Sequence, residues 1–219
     1  MKHIHKKPSP SAFEKWKSSM GNAATYSSIP PSIKSIVREN LLDEQYWLCC
    51  YCGLSLTRNN VHIEHFRPQS KFKSLQLDYQ NLHASCMGKL IHHEAELSDF
   101  CGHSKKDWFD PVLMVSPLDP NCESYFEYGF DGTIRAANHH QGAEETIHRL
   151  GLNTYLPRKQ REEAINAILD IIDLSDTDQI KLMIRFLETP DETNRLPSFS
   201  YVIARLLKSL LITDSAALT

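Results

Sequence analysis

Cys49 and Cys52 stand two residues apart before Gly53, and Cys86 and Cys101-Gly102 answer them downstream; no other feature constrains the fold as tightly. Zinc favours four soft ligands in a tetrahedron, and two short knuckles separated by intervening chain supply them without a large core. Tyr51 and Gly53 suit a tight turn whose amides face the thiolates. Met1-Lys2-His3 leads into a polar stretch instead of a signal-peptide core, and no apolar run approaches the roughly 18 residues that span a bilayer. A cytoplasmic protein without membrane contact is therefore expected. In that compartment six cysteines, two of them in a C-x-x-C, favour a metal over disulfides. Cys50 and Cys122 are expected to be ordinary thiols, and His92 or His93 could replace one cysteine ligand.

Between the knuckles lies Val61-His62-Ile63-Glu64-His65-Phe66-Arg67-Pro68-Gln69-Ser70, which a purely structural zinc site does not explain. Phosphodiester hydrolysis needs a deprotonated water and charge stabilisation for the leaving oxygen, and one base with one divalent cation suffices. His65 titrates near neutrality when unperturbed and suits the base, while Glu64 suits a hard cation. On a flat strand the two would face opposite ways, but twist near a strand end lets both border one cleft. Asn81 is expected to hold the loop or the imidazole in place. His103, two residues past Cys101, is the first candidate for a second cation ligand, with Asp110 and His83 as lesser ones. Arg67, Lys105 and Lys106 are candidates for contact with substrate phosphate.

The 219 residues carry a net charge of -3, so any nucleic-acid contact must come from local patches. Lys2, Lys6, Lys7, Lys15 and Lys17 stand against the single acid Glu14, and Arg67, Lys71 and Lys73 follow the central motif without an intervening acid. A phosphate backbone would prefer these faces.

Apolar spacing predicts a helix with Phe13, Trp16 and Met20 on one side. A second runs over residues 32–44, with Ile33, Ile36, Val37 and Leu41 sharing a face. Short extended pieces follow to about residue 106, and then a hairpin from Tyr125-Phe126-Glu127-Tyr128 to Asp131-Gly132-Thr133-Ile134. Three apolar helical stripes close the chain: Ile165, Ile168, Leu169 and Ile172; Ile180, Met183, Ile184 and Leu187; and Ile203, Leu206, Leu207, Leu210 and Leu211. A closed helical core is the expected use of these stripes, with a partner interface as the alternative. The expected class is α+β, mainly helical. Its parts are an N-terminal helical segment (1–44), a zinc-braced core (45–140) and a C-terminal helical region (141–219).

Cys49-x-x-Cys52-Gly53, Glu64-His65-x-x-Pro68-x-Ser70, Asn81-Leu82 and Cys86 resemble the HNH endonucleases of the His-Me finger group. Ile63-Glu64-His65-Phe66-Arg67-Pro68, Asn81-Leu82-x-x-Ser85-Cys86, Cys101-Gly102-x-x-Lys105, Phe109-Asp110-Pro111 and Leu150-Gly151-Leu152-Asn153 narrow the likeness. They resemble PtuB, the nuclease subunit of Septu and related retron anti-phage systems. The likeness spans roughly residues 35–165. It implies a ββα-metal core, a structural Zn²⁺, a catalytic Mg²⁺ or Mn²⁺, and a PtuA-like ATPase partner. A retron-type relative adds a reverse transcriptase and its msDNA, and the target is DNA or tRNA. Gly102 departs from the Asn that many HNH proteins place after the last zinc cysteine, and Cys86 and Cys101 are more widely spaced than a compact C-x-x-C. The competing expectations are a non-catalytic zinc-stabilised adaptor and a nuclease that cuts without an ATPase.

Overall fold

A computed structural model of the protein describes residues 1–88 and 99–216. Helices dominate, beside two small antiparallel sheets of two strands each, in keeping with the expected α+β class. Helix α1 (Ser11–Met20) follows Pro10 and buries Phe13, on which Trp16 stacks at 6.0 Å. Helix α2 (Pro31–Glu44) begins on Pro31, where the missing N–H is no loss. Its buried residues are Val37, Leu41, Leu42 and Glu44. Ile36, expected on that face, is exposed instead, because the stripe runs through Val37, Leu41 and Glu44 at i, i+4 and i+7, one position round the helix.

The lysine-rich N-terminus is largely neutralised, contrary to the phosphate-preferring face expected there. Lys2, Lys6, Lys7 and Lys17 pair with Glu123, Glu44, Asp43 and Glu14. Three of these acids lie far along the chain, so only folding brings them near.

Gln45, at the end of α2, ties the first knuckle to the central sheet. Its Nε2 donates to the carbonyls of Leu48 and Ala84, and its Oε1 accepts from the Ala84 amide. Strands β1 (Val61–His65) and β2 (Leu82–Cys86) pair antiparallel, with Val61 opposite Cys86 and Glu64 opposite His83. The single-turn helix α3 (Gly102–Lys105) follows Cys101. Strands β3 (Phe126–Tyr128) and β4 (Ile134–Ala136) form the expected hairpin, closed by the Gly129 amide donating to the Thr133 carbonyl.

Helices α4 (Gln141–Arg149), α5 (Tyr155–Leu169), α6 (Thr177–Glu188) and α7 (Ser200–Ala216) complete the chain. Asp176 caps α6 by accepting from the amides of Asp178 and Gln179. The three apolar stripes close on one another as a second core containing Ile165, Ile180, Ile184, Leu187, Ile203, Leu206 and Leu207. Leu150 and Leu152 belong to the first core, which surrounds the cysteines. The chain entering α7 is docked on the first knuckle: the Phe199 amide donates to the Gly53 carbonyl at 2.8 Å, and the Ser55 amide to Ser198 Oγ at 2.9 Å. Gly53 has φ +82°, and a Cβ there would come within 2.5 Å of the Tyr201 ring, so conformation and space both require glycine. Among the described residues no helix is long and apolar enough to cross a membrane.

Candidate metal centre and active site

The spacing of the cysteines is realised as one cluster. Cys49, Cys52, Cys86 and Cys101 are all buried, and their sulfurs lie within 4.8 Å of one another. Cys49 Sγ stands 3.8 Å from Cys101 Sγ, and Cys52 Sγ 3.9 Å from Cys86 Sγ. Four thiolates held 2.3 Å from a tetrahedral zinc stand roughly 3.8 Å apart, whereas a disulfide requires about 2.05 Å. The donor set therefore fits zinc and no disulfide is formed. Two backbone amides face the sulfurs: Leu54 N, just past the expected turn, donates to Cys52 Sγ, and Cys86 N, on β2, donates to Cys49 Sγ, while the Gly53 amide bonds the Cys49 carbonyl instead. Cys101 adopts φ +55°, a conformation costing about 1–3 kcal/mol in a residue with a side chain and kept only where the surroundings impose it. Cys50 and Cys122 lie outside the cluster, and burial pushes the Cys122 thiol up to about 12. His92 and His93 lie outside the described residues.

Glu64, on β1, is held by residues that flank the cysteines in sequence. Its Oε1 accepts from Lys105 Nζ at 2.8 Å and from the Tyr51 hydroxyl at 3.2 Å. Its Oε2 lies 3.2 Å from His62 Nε2. Burial alone would push the Glu64 carboxyl up, but His62 and the Lys105 ammonium outweigh it and hold the group below the usual carboxylate range. Gly102, the departure from the family pattern, has a steric cause. A Cβ there would stand 2.5 Å from Glu64 Oε2 and 2.9 Å from His62 Nε2.

His65 ends β1. Its Nε2 stands 3.1 Å from the Gln76 carbonyl and its ring meets Tyr26 edge-on at 4.5 Å. A carbonyl can only accept, so Nε2 carries the hydrogen and Nδ1 keeps the basic lone pair. Burial draws the imidazole below its ordinary value, although the Gln76 carbonyl opposes this, so His65 is neutral at physiological pH. Asn81 braces the intervening loop at three points: Oδ1 accepts from the Arg67 amide at 2.7 Å, and Nδ2 donates to the carbonyls of Arg67 and Leu75.

The remaining candidates separate. His103, on α3, meets the His62 ring edge-on at 5.2 Å, beside Glu64. His83 is fully buried against Phe66 with neither ring nitrogen hydrogen-bonded, and burial holds it well below its usual value. Asp110 caps a turn, accepting from the amides of Val112 and Leu113. Arg67 is exposed with its guanidinium over the Phe109 ring, and Lys106 is exposed. Lys105 differs from expectation: it is 2% exposed, and its ammonium turns inward to Glu64 and to the His65 carbonyl at 3.0 Å. A buried ammonium is stable only beside a compensating charge, and Glu64 is that charge. His62 stands inside the central motif but is not among the site residues expected from the sequence. The available signal was its i, i+2 relation to Glu64, which puts both side chains on one face of a strand.

No family model matches the chain. It is similar to the "Retron Vc95 putative HNH endonuclease" of Vibrio cholerae serotype O1 biovar El Tor, with 27% identity over 182 residues, covering 80% of this chain and 82% of the relative. It is also similar to the "Retron Ec83 putative HNH endonuclease" of Escherichia coli, with 24% identity over 113 residues, covering 42% and 43% respectively. These similarities support a relationship to the HNH endonucleases.

Proposed function

We propose that this protein is a metal-dependent HNH endonuclease that hydrolyses phosphodiester bonds as the effector of a retron-type or Septu-type anti-phage system. The observation that carries the reading is the convergence of Glu64, a neutral His65 and the Asn81-braced loop on the β1–β2–α3 unit. The retron names of both relatives support the setting. On this reading β1, β2 and α3 form the ββα-metal core, braced by zinc on Cys49, Cys52, Cys86 and Cys101.

His65 Nδ1 takes a proton from the attacking water, while the Nε2 hydrogen bond to Gln76 keeps the ring in the tautomer and orientation this needs. Asn81 positions His65 by holding the loop that carries Gln76. Glu64 and His103 would hold Mg²⁺ or Mn²⁺, which would supply charge stabilisation at the leaving oxygen. Lys105 keeps Glu64 ionised and fixes its rotamer. Arg67, Lys71, Lys73 and Lys106 are exposed, and their charges favour a phosphate backbone of DNA or tRNA. A PtuA-like ATPase, and a reverse transcriptase with msDNA in a retron setting, belong to the same proposal.

The test is cleavage of plasmid DNA and of total tRNA by the purified chain in Mg²⁺ or Mn²⁺, with and without the ATPase. His65→Ala of equal zinc content is the control. Cutting by the wild type that is lost in the mutant is expected. No cutting under any of these conditions points to the zinc-stabilised adaptor instead.

A further inference from the structure

We infer that His62 is a third protein ligand of the catalytic cation, and that this ion is a first-row transition metal in preference to Mg²⁺. The inference rests on the nuclease reading of the Glu64–His103 site and deepens it. Along β1 alternate side chains share a face, and His62 Nε2 stands 3.2 Å from Glu64 Oε2. Two donors at about 2.1 Å from one octahedral ion, at right angles, stand about 3.0 Å apart, so this pair is already at ligand spacing.

The carboxylate is divided in the same sense. Lys105 and Tyr51 take Oε1, while Oε2 faces His62. Gly102 leaves open the space that both donors approach. The His62 side chain is 26% exposed, so solvent and an ion reach it. Among the described residues the cysteines are the one group of three or more ligands with all donors within 4.8 Å. His62 and Glu64 are thus a preformed pair, and His103, with its ring 5.2 Å from that of His62, is the adjacent donor that ion binding draws in.

Two imidazoles and one carboxylate select against Mg²⁺, which keeps oxygen ligands and several waters, and favour ions that accept nitrogen. The rival role for His62 is a hydrogen bond that merely aims Glu64.

The experiment uses the full chain with its zinc content verified. Mn²⁺ binding is followed by the electron paramagnetic resonance of the free ion, and Mg²⁺ by competition, for wild type, His62→Ala and His62→Gln. Loss of the ligand is expected to weaken Mn²⁺ by roughly ten-fold or more and Mg²⁺ by less than about two-fold. Glutamine keeps an amide donor toward Oε2 but lacks the imidazole, and is expected to behave as alanine does. Unchanged Mn²⁺ binding in His62→Ala, equal losses for both ions, or full recovery by glutamine would each overturn the inference. Cleavage measured in parallel keeps the two claims apart. His62-dependent Mn²⁺ binding without cleavage, whether or not the ATPase is present, removes the nuclease and leaves the site, whereas cleavage with His62-independent binding removes the third ligand and leaves the nuclease.

Discussion

The Tyr51 hydroxyl donates to Glu64 Oε1 at 3.2 Å, although Tyr51 belongs to the knuckle between Cys49 and Cys52. The second half of the cysteine cluster makes the same connection, since Lys105, four residues after Cys101, holds Oε1, and Gly102, next to Cys101, leaves the room that Oε2 occupies. Glu64 is thus located by groups whose own positions depend on the cysteines. Removing the hydroxyl in Tyr51→Phe leaves the ring in place and takes away one hydrogen bond to a charged group. Urea unfolding is expected to show a loss of about 1.5–3 kcal/mol with zinc content unchanged, and cleavage falls with it.

Zinc removal should act on the same carboxylate from the other side. Cys101→Ala is expected to lose the metal, measured by elemental analysis, together with cleavage, because α3 is no longer anchored. A variant that keeps full cleavage without zinc contradicts the coupling.

Lys105 and Glu64 form a buried ion pair, with side chains 1% and 9% exposed. Lys105→Met strands the carboxylate and is expected to destabilise the fold by about 3–5 kcal/mol. Adding Glu64→Gln removes the stranded charge, so the double variant should lose clearly less than the sum of the two single variants. Additive losses in denaturation experiments argue against a direct pair.

Asn81→Ala removes three hydrogen bonds from the 67–81 loop and should cost about 3 kcal/mol at about 1 kcal/mol per bond. Asn81→Asp can still accept from the Arg67 amide but cannot donate to the carbonyls of Arg67 and Leu75. It is expected to resemble alanine in both unfolding and cleavage, and wild-type behaviour in Asn81→Asp shows that the donated bonds do not matter.

Gly102→Ala places a methyl 2.5 Å from Glu64 Oε2. The carboxylate must move, so cleavage should drop with zinc retained. A crystal structure of the variant with Glu64 undisplaced contradicts this.

The features legible in the chain by itself are those with a local or periodic signature. The spacing of Cys49, Cys52, Cys86 and Cys101 selected the residues that converge, because thiolates at zinc distance need little else from the fold. The hairpin around Gly129–Thr133 and the apolar stripes of α5 to α7 followed from turn chemistry and helical period. Tertiary structure decided the rest, because it depends on partners distant in sequence. Lys105 reaches the His65 carbonyl across 40 positions, which turns an expected surface cation into an internal one. The N-terminal lysines meet Asp43, Glu44 and Glu123, so a basic run in sequence is not a basic face in space. His62 gains its meaning only when β1 meets α3, since a strand's alternation shows which residues share a face but not what that face meets.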